Sequence, residues 1–183
     1  MKKLIIIVSF FVSINNTFSQ NVDYNGIYLT ADDFVNNNLH LKGDNKQVKI
    51  NAGLAFNPSH IRVKFDGKKY YFHKDSIWGI AGNKQIYRFS NKDNCVLIAN
   101  SGFMLYSYRD NGRHMRLYYY FSESASSQVL PLSMKNLDKS FIENKKFHEL
   151  LQAKISKDED LAAYDKKSKT YKIVNIYNLS LEK

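Results

Sequence analysis

The sequence predicts an α+β fold: an antiparallel β-rich part to about residue 122, built as a meander, barrel or sandwich, followed by C-terminal helices. Three observations predict it. Between Tyr24 and Ser122, short runs rich in aromatic and β-branched residues alternate with Gly, Asn, Asp and Ser turns at roughly ten-residue spacing. From Ser133 onward the apolar residues instead recur three and four apart. Between the two textures lies Ser122-Glu123-Ser124-Ala125-Ser126-Ser127-Gln128, a serine-rich stretch that reads as a loop, with Pro131 close behind.

The chain opens on a different signal. Met1-Lys2-Lys3 is a short positive segment, residues 4–12 are an apolar run, and Asn15-Asn16-Thr17-Phe18-Ser19 is polar with small residues at the −3 and −1 positions of a cut after Ser19. These parts in this order are the layout of a cleavable secretory signal peptide over residues 1–19. The apolar run is far shorter than the ~20 residues that a spanning helix needs. Residues 20–183 are then expected to form one exported domain, periplasmic or secreted, β-rich over 20–122 and helical over 133–183. Its length is enough to bury a core. Export also frames the single cysteine: Cys95 has no partner for an intrachain disulfide. It lies in the apolar run Asn94-Cys95-Val96-Leu97-Ile98 and reads as a core residue. A reactive thiol calls for a histidine or helix N-terminus beside it, and none is close in sequence.

The elements follow in order. Gly26-Ile27-Tyr28-Leu29-Thr30 reads as a first strand, and Thr30 with Asp33 as a capping box for a helical turn over residues 31–36. Asp66-Gly67, between residues 61–65 and 68–72, is a strong hairpin signal because both turn positions favour positive φ. A second hairpin is expected to turn at Gly82-Asn83, and a third at Asn100-Ser101-Gly102. Asp110-Asn111-Gly112 then leads into residues 115–121. In the C-terminal part, Ser133 caps a helix carrying Leu137, Phe141 and Ile142, while Phe147, Leu150, Leu151 and Ile155 form one apolar stripe. Ser156-Lys157-Asp158-Glu159 has the capping-box pattern before Leu161-Ala162-Ala163-Tyr164, which predicts a further helix. Tyr171, Val174 and Tyr177 continue a helical face. The helices are expected to cover one face or end of the sheet.

The chemistry of the chain excludes more than it assigns. The histidines (His40, His60, His73, His114, His148) show no metal-ligand spacing, and His148-Glu149 lacks the second histidine of a zincin helix. The β-rich part has aspartates in turn-like contexts and no glutamate. There is no Gly-rich phosphate loop and no Gly-x-Ser-x-Gly elbow. No cofactor and no metal are expected. Without the leader, 25 basic and 17 acidic side chains leave a net charge of +8, and all five arginines (Arg62, Arg88, Arg109, Arg113, Arg116) fall before residue 123. A basic surface favours anionic partners. Export argues against nucleic acid, which leaves an anionic glycan, an envelope lipid or another protein. No transmembrane segment remains after removal of the signal.

One pattern stands out. In Arg116-Leu117-Tyr118-Tyr119-Tyr120-Phe121, alternation sends Leu117, Tyr119 and Phe121 to one side and Arg116, Tyr118 and Tyr120 to the other. Phe103, Leu105 and Ser107 likewise alternate with Met104, Tyr106 and Tyr108. If the apolar set faces the core, Arg88, Tyr106, Tyr108, Arg116, Tyr118 and Tyr120 form an outward strip able to stack sugars or hold an acidic ligand. The competing arrangement buries both faces, one of them under the C-terminal helices. Trp78 reads as core. The sequence therefore predicts a non-catalytic binding or envelope-associated protein. The alternative is a small secreted hydrolase with a site built from His73, Asp75 or His114.

Gly26-Ile27-Tyr28-Leu29-Thr30-Ala31-Asp32-Asp33-Phe34, Gly67-Lys68-Lys69-Tyr70 leading to Asp75-Ser76-Ile77-Trp78-Gly79, Tyr87-Arg88-Phe89 and Leu161-Ala162-Ala163-Tyr164-Asp165 together resemble a family of uncharacterised secreted proteins from Bacteroidota. The resemblance implies export and carries no functional residue with it. Asn25-Gly26-Ile27-Tyr28, followed by strands and a late helix, is also similar to the lipocalin plan, with Tyr28 where that plan has tryptophan and a longer helical part.

Overall fold

The computed structural model describes residues 22–53, 59–90, 93–110 and 115–182; the expected leader lies outside them. The chain forms β1 (Asn25–Tyr28), α1 (Ala31–Val35), β2 (His40–Gly43), β3 (Val48–Asn51), β4 (His60–Phe65), β5 (Lys68–His73), β6 (Gly79–Gly82), β7 (Gln85–Ser90), β8 (Asp93–Asn100), β9 (Met104–Arg109), β10 (Leu117–Ser122) and β11 (Leu130–Pro131). There follow α2 (Met134–Ser140), α3 (Lys145–Lys154), β12 (Tyr164–Asp165), β13 (Thr170–Tyr171) and α4 (Lys172–Leu181). The fold is α+β, and β6 to β11 run as an antiparallel meander, with β1 crossing over to lie beside β6. An eight-stranded sheet has the order β11-β10-β9-β8-β7-β6-β1-β2, β3-β4-β5 form a second sheet, and β12-β13 a small ribbon. Among the described residues the large sheet ends at β2 and β11, which do not pair with each other, so it is not closed as a lipocalin barrel is. Its outermost strand, β11, is two residues long and contains Pro131.

Local signals explain several elements. Thr30 Oγ1 accepts a bond from the Asp33 amide (3.1 Å) and Asp33 Oδ2 accepts one from the Thr30 amide (3.0 Å), the reciprocal capping box that starts α1. Asp66 and Gly67 adopt φ of 46° and 81°, joining β4 to β5 as their type predicts. The next hairpin turns one residue later than expected, at Asn83-Lys84, where φ is 52° and 63°. Gly82 is thereby kept in β6, paired with Gln85. Gly79 is required by close approach: a Cβ there would collide with the carbonyl oxygen of Tyr87 on the adjacent strand.

Register sorts the side chains of the large sheet onto two faces. Ile27 pairs with Ile80 and Leu105 with Phe121; these point to one face, which is covered in two halves. Ile27 and Ile80 pack on Val48, Ile61 and Val63 of the second sheet. Phe103, Leu105 and Phe121 pack on Leu137, Phe147, Leu151, Leu161, Ile173 and Ile176 from the helical part. The expected helical cover is thus found on one end of one face. Arg88 pairs with Cys95, Leu97 with Tyr106 and Tyr106 with Tyr120 on the opposite face. There, Phe34 of α1, Trp78, Ala125 and Val129 close over Tyr28, Ile86, Cys95 and Tyr106. Each large apolar side chain so buried contributes about 1.5–3 kcal/mol.

The helix expected from Ser156 does not form. Only a single 3-10 turn spans Asp158–Asp160, with Lys157 at the cap position and no side-chain cap. Ser156 Oγ instead donates to Asp160 Oδ2 (3.4 Å), and Asp158 Oδ1 accepts from the Met134 amide (3.0 Å) at the start of α2. The acid that would begin a helix is used to fasten a neighbouring one. Burial of Leu161 (0% exposed) then turns the chain inward before it reverses through β12 and β13.

Candidate functional site

The cross-strand pairs Tyr106↔Tyr120 and Tyr108↔Tyr118 set four tyrosines in a two-by-two block on one face of β9 and β10. Arg88 reaches the inner end of this block from β7. The block runs from core to surface: Tyr106 is 0% and Arg88 9% exposed, Tyr108 and Tyr120 are half-buried, and Tyr118 is 39% exposed beside the exposed Arg116. The expected six-residue outward strip is therefore corrected. Arg88 and Tyr106 belong to the interior because the serine-rich loop and Trp78 cover them. The outer part retains Tyr108, Tyr118, Tyr120 and Arg116.

Arg88 fastens that cover. Its Nη1 donates to Tyr106 Oη and to Ser122 Oγ (both 3.0 Å), and its Nη2 donates to the Ser127 carbonyl oxygen (2.7 Å). The guanidinium lies 5.4 Å from the Trp78 ring and 5.8 Å from the Tyr106 ring. Among the described residues no carboxylate pairs with it. A guanidinium tolerates this better than an ammonium would, being weakly hydrated and flat enough to stack. Trp78 Nε1 donates to the Ala125 carbonyl oxygen (2.7 Å), a second tie to the same loop. Trp78 is 8% exposed and, as expected, is core.

Cys95 lies under this network, 2% exposed, its thiol pushed up to about 11 chiefly by burial and then by the Asp93 carboxylate. It is a protonated core residue at neutral pH. Burial also raises the Tyr108 and Tyr120 hydroxyls above the usual tyrosine range, with Asp93 adding to both. The Tyr108 hydroxyl already donates to the Asp93 carboxylate, which leaves Tyr120 as the neutral donor beside a flat stacked pair: the Tyr108 and Tyr118 ring centroids are 6.4 Å apart at 27°. The surface can stack a planar or pyranose-like ring and donate to its oxygens, with Arg116 as a nearby cation.

Among the described residues the other sequence candidates do not assemble into a catalytic line. His73 and Asp75 are close, Nδ1 to Oδ2 3.4 Å, but the same Nδ1 caps the 3-10 turn by accepting from the Asp75 amide (3.3 Å). Both side chains are substantially exposed, 41% and 63%. His60 stands edge-to-face against His73 at 4.8 Å, and Ser59 Oγ is 3.3 Å from His60 Nδ1. The serine and the aspartate are thus beside different histidines. His114 lies outside the described residues. His40 meets Asp33, the acid of the α1 cap (3.3 Å). His148 is held between Asp138 Oδ1 and the Phe141 carbonyl oxygen, both at 2.8 Å, bracing the end of α2 against α3. Among the described residues no group of three or more His, Cys, Asp or Glu could hold a metal ion, and no helix is long and apolar enough to cross a membrane.

Sequence reading missed a cleft of about 400 Å³ against α4, because the helix expected after Ser156 would have filled the segment that forms its wall. No family model, curated protein or solved structure matches the chain.

Proposed function

We propose that this is an exported, non-catalytic binding protein that holds an anionic glycan of the cell envelope on the outer tyrosine flank, Tyr108, Tyr118 and Tyr120, beside Arg116. The observation that carries the reading is the cross-strand tyrosine block whose inner end is locked by Arg88 and whose outer end is exposed. Locking matters because ordering long side chains on binding costs about 0.5–1.5 kcal/mol each, a cost that a pre-set aromatic surface avoids. The flat faces suit sugar rings, the neutral Tyr120 phenol donates to a carboxylate or sulfate oxygen, and Arg116 supplies charge to offset the Asp93 carboxylate that holds Tyr108. Export is supported by the leader pattern of residues 1–19, and the net basic character suits an anionic partner.

Thermal shift of the purified protein with a uronic or sulfated polysaccharide, at low and moderate salt, tests this. Stabilisation that survives salt in the wild type and is lost in Tyr118→Ala is the expected result; a site filled at one hundred times its Kd adds about 2.7 kcal/mol. A shift that vanishes with salt, equally in both proteins, would show only screened attraction to a basic surface and would sink the proposal.

A further inference from the structure

The cleft against α4 is far from ordinary surface in its lining. Lys172, Asn175, Ile176 and Leu179 come from one face of α4 at positions one, four, five and eight of the helix, and Lys154 ends α3. Ala163, Tyr164 and Asp165 complete the wall. Ile176 is buried and Leu179 half-buried, giving an apolar floor, whereas Tyr164 is 54% exposed with its ring edge-to-face on Tyr171 at 5.2 Å. The charges do not cancel. Two lysines face one aspartate. That aspartate is already committed: Asp165 Oδ1 accepts from the Lys167 amide (2.9 Å) and Oδ2 from Ser168 Oγ (2.8 Å). Among the described residues neither Lys154 nor Lys172 has a carboxylate partner. The cleft thus combines an apolar floor, an exposed aromatic ring and one net positive charge, within the size range of small-molecule sites.

We propose that this cleft binds a small amphipathic carboxylate, a single anionic head towards Lys154 and Lys172 and an aryl or short acyl body on Ile176, Leu179 and the Tyr164 ring. One net positive charge matches a monoanion, and the apolar floor rejects a bare ion. The site is separate from the tyrosine flank and stands or falls independently of it.

Methyl and aromatic NMR of the purified protein titrated with phenylacetate tests the assignment, with phenylacetamide and inorganic phosphate as comparison probes. Phenylacetate is expected to shift the Ile176 and Leu179 methyls and the Tyr164 ring saturably. Lys154→Gln and Lys172→Gln should each weaken it by about two- to fivefold, as for a solvent-accessible ion pair. Lys154 is exposed and Lys172 half-buried, and an unchanged remainder of the spectrum checks that each variant keeps the fold. Equal shifts from phenylacetamide would show an apolar groove that does not read charge. Shifts from phosphate alone would show a bare cation surface. Either of these, unchanged affinity in both lysine variants, or no saturable shift from phenylacetate would overturn the proposal.

Discussion

Replacing Arg88 by methionine tests whether the buried guanidinium holds the serine-rich loop. Arg88 makes three bonds from a charged donor, to Tyr106 Oη, Ser122 Oγ and the Ser127 carbonyl oxygen. Bonds to charged groups contribute about 1.5–3 kcal/mol each, but burying a cation without a carboxylate costs several kcal/mol in return. Methionine spares part of the loss. Tyr106 and Ser122 remain within 3.1 Å of each other, and Ser122 still donates to the Ser124 carbonyl oxygen (2.9 Å). The orphan left behind is the Ser127 carbonyl, which is half-buried and can meet water. The net loss expected for Arg88→Met is therefore about 2 kcal/mol, near one unreplaced bond to a charged group. That corresponds to about 4–8 °C in melting temperature for a chain of this size. Arg88→Lys should do no better, since an ammonium keeps the charge without the planar fork or the stacking on Trp78. Urea unfolding followed by the fluorescence of Trp78, the chain's one tryptophan, reads both variants. A shifted emission maximum with an unchanged urea midpoint would mean that only the loop detaches. If Arg88→Met were as stable as the wild type with native emission, the apolar contacts of Trp78, Ala125 and Val129 would be holding the loop, and the reasoning would be refuted.

Three further outcomes are expected. The Cys95 thiol titrates near 11 in the fold against an ordinary 9, so the folded chain binds more protons than the unfolded chain between those values. Stability on this account is full below pH 9 and falls by about 2–3 kcal/mol as pH rises to 11; urea midpoints against pH should slope less steeply there in Cys95→Ala. Gly79→Ala forces a Cβ into the Tyr87 carbonyl and should cost about 1–3 kcal/mol or more, measured by thermal denaturation. Leu151→Ala empties a fully buried site among Phe147, Leu161 and Ile173 and should cost about 2–5 kcal/mol. The same change at Ile142, 69% exposed, should stay within about 0.5 kcal/mol.

The legible features were those set by local chemistry. Asp66-Gly67, the Thr30–Asp33 box and the Ser133 cap each act within four residues, and each is found where the residues predict it. Alternation also placed Tyr106, Tyr108, Tyr118 and Tyr120 on one face. What covers that face was not legible, because Arg88 is bonded to residues 18, 34 and 39 positions away. The same limit explains the helix that did not form after Ser156. Its capping pattern is local, but Asp158 is taken by Met134, 24 residues distant. The short strands β2, β3, β12 and β13 have too few residues for a period to show, and their pairing depends on partners rather than on their own composition.

The outermost strand of the large sheet has a bearing on behaviour at high concentration. β11 has two residues, and one of them, Pro131, has no amide hydrogen to offer an incoming chain. The opposite edge, β2, is four residues long. An eight-stranded sheet would otherwise template edge-to-edge growth between molecules. On this sheet a docking strand would find almost no ladder to extend, so edge-to-edge growth between crowded copies is left to β5, the six-residue outer strand of the second sheet.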